Sequence, residues 1–250
     1  MEKDGRLRII SAKGLHYKQL NEEIRKSLEE GYKQIRVTDV NGQRYIGAGL
    51  SFSDRILEIY GTPGNDLGVF MNGPTIRVFG NAQDGVANTM NDGEIVVYGN
   101  VGDLMGYGRR GGRIFIKGSA GYRVGIHMKE YENKIPIIII GGNVGDFLGE
   151  YMAGGRIIVL NLEDKEDTTG YLCGTGMHGG IIYIRGDIPT YKLGKEVKVL
   201  DMDESDIKFV GDQLKDFSQY FNIDLDYIMD ETFRKLIPYN KRPYGRLYAY

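Results

Sequence analysis

The feature that most constrains this chain is a short apolar phrase that recurs seven times between Ile56 and Gly186. Each copy is a run of β-branched or aromatic residues closed by Gly or Asn, a composition that favours a strand over a helix. The closing residues are Gly61, Gly80, Gly99, Gly118, Gly141, Asn161 and Gly186, spaced by 19, 19, 19, 23, 20 and 25 residues. A period of about 20 residues indicates repeated units that stack on one another.

A glycine pattern, G-x-x-G-x-x-x-G, follows four of these strands. Its members are Gly61, Gly64 and Gly68; Gly99, Gly102 and Gly106; Gly118, Gly121 and Gly125; and Gly142, Gly145 and Gly149. Because glycine has no Cβ, we expect these positions to be tight corners with positive φ or points where neighbouring coils approach closely. We interpret them as a structural glycine motif.

Strands joined by such corners, with no room for a helix between them, predict a mainly β fold. The prediction is a right-handed, single-stranded parallel β-helix of about seven coils, with a small α/β cap at the N-terminus and a helical tail at the C-terminus. The left-handed hexapeptide helix is excluded because its unbroken six-residue rhythm is absent.

The predicted regions are residues 1–50, 51–190 and 191–250. In the first region the helical spacing of Leu20, Ile24 and Leu28 predicts an amphipathic helix ended by Gly31. Asn41-Gly42 predicts a hairpin turn after it. The helix and the hairpin together would cap the first coil, which otherwise exposes an edge.

The third region is expected to be helical and then extended. Apolar residues at helical spacing predict helices between residues 203 and 236; they are Ile207, Val210, Leu214, Phe217, Ile228, Phe233 and Leu236. The last stretch, Pro238–Tyr250, is rich in tyrosine and basic residues, and we interpret it as an arm that docks on this chain or on a partner.

Composition excludes several classes of protein. The formal net charge is −2, so nucleic-acid binding has no electrostatic basis. Cys173 is the sole cysteine, which excludes a disulfide framework and favours a reducing compartment. The first ten residues lack an apolar segment, and no window is long and apolar enough for a membrane span. The expected location is the cytoplasm.

Candidate metal ligands and nucleophiles are few. The histidines are His16, His127 and His178, and alignment of the coils places His127 over Tyr151 and His178 over Ala153. The two histidines therefore occupy different columns, and a metal site is not predicted. Cys173 has no basic neighbour in sequence, so we interpret it as a structural thiol.

The acidic residues of the corners have two interpretations. Asp66, Asp84, Asp103 and Asp146 all fall in the glycine corners, where stacked carboxylates could bind Ca²⁺ or act as a hydrolase pair. The alternative, which we favour, is that they accept hydrogen bonds from main-chain N–H groups of the corners. The sequence therefore predicts no catalytic, cofactor-binding or metal-binding residue.

A methionine recurs near the end of the glycine corners. The recurring residues are Met71, Met90, Met128, Met152 and Met177. This spacing predicts an inward stacked column that fills core volume, although a methionine row could also form a binding face.

These phrases together resemble a known family. The segments GTPGNDLGVFMNG, GNAQDG, GNVGD, GGNVGDFLGEYMAGG and GTGMHGGIIYIRGD are similar to the GXGXG domain, the C-terminal domain of the large subunit of glutamate synthase, over about residues 45–190. The resemblance implies a right-handed β-helix without chemistry of its own, which holds a glutamine amidotransferase part and an FMN-dependent synthase part in register for ammonia transfer to 2-oxoglutarate. FMN and the iron–sulfur cluster would belong to partner chains, because one cysteine cannot supply a cluster's ligands.

Other functions remain open at the level of sequence. One of the subunits of formylmethanofuran dehydrogenase is built from similar glycine-rich coils, so the chain could serve that type of complex. An independent β-helix module acting on a polymer and a homo-oligomeric structural module are further alternatives. As partner-contact residues we predict the charged insertion Lys129–Lys134 and the tail around Tyr244 and Tyr248.

Overall fold

The structure is a computed structural model that describes residues 7–163 and 167–239. Its described part contains one continuous sheet of eleven strands in the order β1-β2-β3-β4-β5-β6-β7-β8-β9-β11-β10. The strands are Leu7–Ser11 (β1), Gln34–Asn41 (β2), Ile56–Thr62 (β3), Asn72–Phe79 (β4), Asp92–Val97 (β5), Arg113–Ile116 (β6), Ile137–Ile140 (β7), Ala153–Val159 (β8), Gly179–Arg185 (β9), Val197–Asp201 (β10) and Phe233–Pro238 (β11). The helices are Tyr17–Glu29 (α1), Glu204–Phe221 (α2) and Leu225–Met229 (α3), with a 3-10 turn at Thr190–Lys192.

Strands β1 to β9 are stacked in parallel, each paired with the next one along the chain. Their register places equivalent residues of successive coils in columns. One inward column consists of Leu57, Ile76, Ile95, Ile114, Ile138, Ile157 and Ile182, all buried. The predicted mainly β, parallel solenoid of about seven turns with a helical C-terminal segment is confirmed.

The methionines form a second inward column. Met71, Met90, Met128, Met152 and Met177 are all buried in the main core, as predicted. Main-chain hydrogen bonds between coils show which residues are equivalent. Arg110 N donates to Met90 O, and Lys129 N donates to Arg109 O in the same way. Arg109 therefore occupies the position in its coil that Met90 occupies in the preceding one. Its side chain is 0% exposed, and it donates hydrogen bonds to the main-chain oxygens of Ile137 and Gly111 at 3.0 and 2.8 Å.

The N-terminal region contains the predicted helix but not the predicted hairpin. The strand β2, which ends at Asn41, pairs in parallel with both β1 and β3, so Asn41-Gly42 is a coil corner and not a hairpin turn. The hairpin interpretation was wrong because a Gly with positive φ serves a solenoid corner as well as it serves a hairpin turn.

Helix α1 closes the first end of the solenoid. In later coils the carbonyls of Asn65 and Val69 accept main-chain N–H groups of the preceding coil. The equivalent carbonyls of the first coil belong to Arg44 and Ala48. Asn21 Nδ2 donates to the Arg44 oxygen and Arg25 Nη2 to the Ala48 oxygen, each at 3.0 Å. Side chains of α1 thereby replace the donors of a missing coil.

The C-terminal region corrects a second prediction. Phe233 and Leu236 lie in the strand β11, which pairs antiparallel with β9 and β10, and not in a helix. Both residues are buried, and in so short a segment the spacing of two apolar residues does not distinguish a helix from a strand. Ile207, on α2, is exposed.

Helix α2 covers the outer face of the sheet over the second half of the solenoid. Its Val210, Leu214, Phe217 and Phe221 pack on the outward residues of the later coils in a second core. Those residues are Val96, Phe115, Ile139, Ile158 and Tyr183. Toward the N-terminus the outer face continues as the stacked rings of Tyr60, Phe79 and Tyr98.

A buried polar network fastens α2 to the sheet. The carboxylate of Asp206 accepts a 2.7 Å hydrogen bond from the Tyr183 hydroxyl and a 2.6 Å bond from Lys235 Nζ. Asp206 is 4% exposed, and Asp203 caps the N-terminus of α2. Burial and the bond to Asp206 raise the pKa of Tyr183 well above its ordinary range.

Candidate functional site: the ridge of double turns

The glycine motif has a steric basis in the stacking of coils. The third glycine of each copy adopts a left-handed φ of 66–73°, and a Cβ there would lie 2.6–2.8 Å from an isoleucine Cδ1. These glycines are Gly68, Gly106, Gly125 and Gly149. A side chain at any of them would press into the inward isoleucine column.

The first and second glycines leave room for side chains of the preceding coil. A Cβ on Gly99 or Gly118 would meet an asparagine oxygen at 2.3 or 2.1 Å, and one on Gly142 would meet Ser119 Oγ at 2.3 Å. A Cβ on Gly102 or Gly121 would meet an aspartate oxygen at 2.1 Å. For Gly61, Gly64 and Gly145 the neighbours are Val40 O, Gly42 O and Tyr122 Cδ1, at 2.1, 2.3 and 2.9 Å.

The acidic corner residues accept hydrogen bonds across the coils. Oδ1 of Asp84 accepts from the main-chain N–H of Asp103, and Oδ1 of Asp103 accepts from that of Tyr122, both at 2.9 Å. Asp146 accepts from Tyr171 N at 2.8 Å, and Asp66 accepts from Asn88 Nδ2 at 3.1 Å. The favoured interpretation, corner carboxylates bonded to main-chain N–H groups, therefore holds at Asp84, Asp103 and Asp146.

The other candidate side chains are dispersed. His16 caps α1, the His127 ring stacks on Tyr151 at 5.4 Å as the coil alignment predicted, and His178 contacts the Gly176 carbonyl. Cys173 is buried, and burial raises the pKa of its thiol to about 12. Within residues 7–163 and 167–239, no group of three His, Cys, Asp or Glu side chains could hold a metal ion.

The predicted insertion contact is partly folded back on the coils. Lys134 Nζ lies 2.7 Å from Asp92 Oδ2, and Glu130 Oε1 accepts a 2.7 Å hydrogen bond from Arg156. Tyr131 and the Glu132 side chain are exposed at its tip. The predicted tail contacts, Tyr244 and Tyr248, lie outside the described residues.

Between one strand and the next, the coils make two successive turns, and these turns stack into a ridge along the solenoid. In the fourth coil, for example, Tyr107 N donates to Leu104 O and Arg109 N to Gly106 O. Large apolar side chains project from these turns. We call the following set the double-turn ridge: Phe70, Leu104, Tyr107, Tyr122, Phe147, Tyr151, Tyr171 and Leu172. All are exposed except Phe147, which is half-buried.

Several ridge residues have unfavourable backbone conformations. Leu104, Phe147 and Tyr151 adopt φ of 60°, 63° and 51°, a left-handed region that costs about 1–2 kcal/mol for a residue with a Cβ. Coil alignment places Gly85 in the Leu104 column and Gly108 in the Tyr151 column, so glycine fits at both positions. The chain thus carries large apolar groups where glycine would be less strained.

Charged residues line both sides of the ridge. At one edge of the ridge, in the column that also holds Tyr122 and Tyr171, are Asp84, Asp103 and Asp146, which we call the acidic row. On the other side Arg110 and Lys129 form the basic row, with both side chains exposed. A pocket of about 270 Å³ lies among Asp103, Leu104, Tyr122, Arg123 and Phe147.

The ridge and the buried Arg109 were not predicted from the sequence. Alignment of the double turns places Arg109 in the methionine column, and this signal could have been found in the sequence; the same alignment places Leu104 in a column that also holds Gly85. The ridge is different, because the sequence does not show whether the side chains of the Leu104 column point toward solvent or toward the core. That orientation depends on the geometry of the double turn.

These features define a parallel β-solenoid whose coils are joined by glycine corners and closed at one end by a helix. The chain belongs to the GXGXG motif family, whose model matches residues 18–239. In the described ranges, no helix combines the length and the apolar composition required to span a bilayer.

Two proteins illustrate what the chain is similar to. The uncharacterized protein MJ1350 of Methanocaldococcus jannaschii is 46% identical over 250 residues, covering 96% of each chain. The formyltransferase/hydrolase complex of Methylorubrum extorquens, solved in complex with methylofuran, contains a chain that is 19% identical, with a TM-score of 0.51. That alignment covers 83% of this chain and 79% of the other, and it shows a common fold.

Proposed function

We propose that this chain is a structural subunit of a multi-subunit enzyme complex. Its role would be geometric: a stiff solenoid holds catalytic partner subunits at fixed separations, so that an intermediate passes between them with little loss to solvent. On this proposal the chemistry, the flavin and any iron–sulfur cluster belong to partner chains.

The packed solenoid is the observation that supports this role most directly. The inward columns are packed core, and α1 supplies the missing donors of the first coil's turns. After β9 the antiparallel strands β11 and β10 interrupt the parallel stack of coils. The inside of such a solenoid is filled by side chains, so its outer faces are the surfaces on which partner proteins could bind.

The first candidate complex is of the glutamate synthase type. Family membership supports it, because the GXGXG domain of that enzyme accompanies a glutamine amidotransferase part and an FMN-dependent synthase part. In this assembly the chain would hold both parts in register for ammonia transfer to 2-oxoglutarate. Any iron–sulfur cluster of such an assembly would be held by a partner chain. The thiol of Cys173 is a poor metal ligand, because burial raises its pKa to about 12 and keeps it protonated.

The second candidate is a formyl-group-transferring complex related to formylmethanofuran dehydrogenase. The shared fold with a chain of the formyltransferase/hydrolase complex favours it. Both candidates assign this chain the same mechanical role, and they differ in the partner enzymes.

The test is affinity purification of the tagged full chain from its own host, with mass spectrometry of co-eluting proteins and a flavin absorbance scan. An amidotransferase with a yellow flavoprotein would support the first candidate. Formyltransferase, hydrolase, or molybdenum or tungsten subunits would support the second. Recovery of the chain without any enzyme subunit, under gentle extraction and after chemical cross-linking, would overturn the proposed function.

An unrelated tagged protein purified in the same way is the control for this experiment. Proteins that co-elute equally with wild type and with an unrelated tagged protein are contaminants, whatever their identity.

A further inference from the structure

We infer that the double-turn ridge is an interface between two copies of this chain, related by a twofold axis parallel to the solenoid axis. This goes beyond the proposed function, which requires partner enzymes but no second copy.

The ridge exposes a group of large apolar side chains, with the exposed side chain of Arg123 among them. Leu104, Tyr107, Tyr122, Tyr151 and Leu172 are between 39% and 53% exposed. They belong to four successive coils, which at a strand spacing of about 4.8 Å form a patch roughly 15 Å long. A contiguous exposed patch with a charged rim is typical of a protein interface.

Backbone strain coincides with this exposure. Leu104 and Tyr151 hold left-handed φ angles at positions where the equivalent residues of other coils are Gly85, Gly108 and Gly176. Leucine and tyrosine are therefore not required by the fold at these places. Arg123 and His127 hold the same left-handed φ in these columns, so the angle belongs to the double turn and leaves the residue type open. Burial against a partner would give the large apolar side chains at these strained positions a role.

Charge complementarity selects the partner and its orientation. The acidic and basic rows run parallel to the solenoid axis on opposite sides of the ridge. A twofold axis parallel to the solenoid exchanges the two edges and keeps every coil at its level, so Asp103 of one copy faces Arg110 of the other, and Lys129 faces the acidic row between Asp103 and Asp146. A twofold axis across the ridge would place acid against acid. The ridge is thus self-complementary in one orientation, as an isologous dimer requires.

The central experiment is the molar mass of the purified full-length chain as a function of concentration, by light scattering and sedimentation. Wild type is expected to dimerise. Leu104→Gly and Tyr151→Gly should each raise the dimer dissociation constant by about tenfold or more. Because both columns already contain glycine, the thermal midpoint should change little, and Ile207→Ala on α2 serves as the control away from the ridge.

Variants of the two charged rows test their complementarity. Asp103→Asn with Asp146→Asn keeps an Oδ1 acceptor for the main-chain N–H groups of Tyr122 and Tyr171 while removing the two charges that flank Lys129. The dimer should weaken, and the dependence of dimerisation on salt should decrease. Arg110→Glu with Lys129→Glu should weaken it further, since like charges would then face each other.

Cross-linking tests the orientation. Tyr107 and Thr175 occupy the same column, midway between the two rows and three coils apart. In the proposed dimer Tyr107→Cys and Thr175→Cys should each cross-link to itself with a short thiol reagent. Cys173 is buried and gives no background. If the axis ran across the ridge instead, equivalent residues would meet only at the level of the axis. At most one of the two cysteine variants would then cross-link to itself.

Three outcomes would overturn the inference. One is a monomeric wild type at all accessible concentrations. Another is a dimer that is unaffected by the ridge variants. The third is a monomer that dimerises only after residues 240–250 are deleted, which would show that the chain's own tail occupies the ridge. In each case enzyme subunits recovered from the host would still support the proposed function, so the two failures are distinguishable.

Discussion

Oδ1 of Asp84 lies 2.1 Å from the point where a Cβ on Gly102 would be. The same oxygen accepts the main-chain N–H of Asp103 at 2.9 Å. The absence of one methyl group thus allows one coil to hydrogen-bond the next through a side chain. This relationship recurs between Asp103 and Gly121.

Gly102→Ala is therefore expected to destabilise the protein by roughly 1–3 kcal/mol, because the methyl group must displace the Asp84 carboxylate and its hydrogen bond. Chemical denaturation measures the change. Gly211→Ala is the matched control: Gly211 lies within α2 with open space around it, and alanine there should stabilise by about 0.5–1 kcal/mol.

A double variant separates sterics from other causes. Asp84→Ala removes the displaced carboxylate, so Gly102→Ala should cost much less in that background. Additive losses in the double variant would contradict the steric explanation.

The buried Arg109 leads to a second prediction. Arg109→Ala should cost about 3–5 kcal/mol, because it leaves a cavity in the methionine column and two main-chain oxygens without their donor. Arg109→Met should cost much less than the alanine variant. Methionine occupies the same column in the neighbouring coils, and it removes a buried guanidinium whose pKa burial lowers.

Denaturation curves of the two variants, with Met90→Ala as the control for a simple cavity, test this prediction. Equal losses for Arg109→Ala and Arg109→Met would mean that the hydrogen bonds of the guanidinium dominate and that side-chain volume contributes little.

Helix α2 provides a third prediction. Lys235→Met should destabilise the protein by about 3–5 kcal/mol, because it leaves the buried carboxylate of Asp206 without the ammonium that lies 2.6 Å away. Lys208→Met on the exposed side of α2 should change stability by less than about 1 kcal/mol, since Lys208 and Asp212 form a surface pair.

The Lys235 measurement should combine urea denaturation with hydrogen exchange of α2. Asp206→Asn introduced together with Lys235→Met should recover part of the loss, because the buried charge is then removed. A double variant no more stable than Lys235→Met alone would contradict the account.

The repeat of strands and glycines was sufficient to predict the solenoid, because each coil repeats the same steric problem and solves it with the same residue types. The hairpin at Asn41-Gly42 and the helix through Phe233 were wrong for a common reason. A glycine turn or a pair of apolar residues is compatible with two structures, and the neighbouring strands decide between them. The ridge was missed because its signal lies in exposed residues, which the repeat does not constrain.

The last prediction concerns alkaline pH and Cys173. Burial raises the pKa of the thiol from its ordinary value of 9.0 to about 12. Below pH 9 the thiol is protonated in both states and has no effect on the pH dependence. Between pH 9 and 12 the unfolded chain releases this proton while the folded chain retains it, so the free energy of unfolding must fall as pH rises.

The slope approaches about 1.4 kcal/mol per pH unit for one proton. Denaturation of wild type and Cys173→Ala at pH 8 and at intervals to pH 11 isolates the thiol, because other groups, such as Arg109, titrate equally in both proteins. The variant should be less stable at pH 8, where it has lost a buried side chain, and the difference should shrink as pH rises. A constant difference across the range would show that the thiol of Cys173 does not retain its proton in the folded protein.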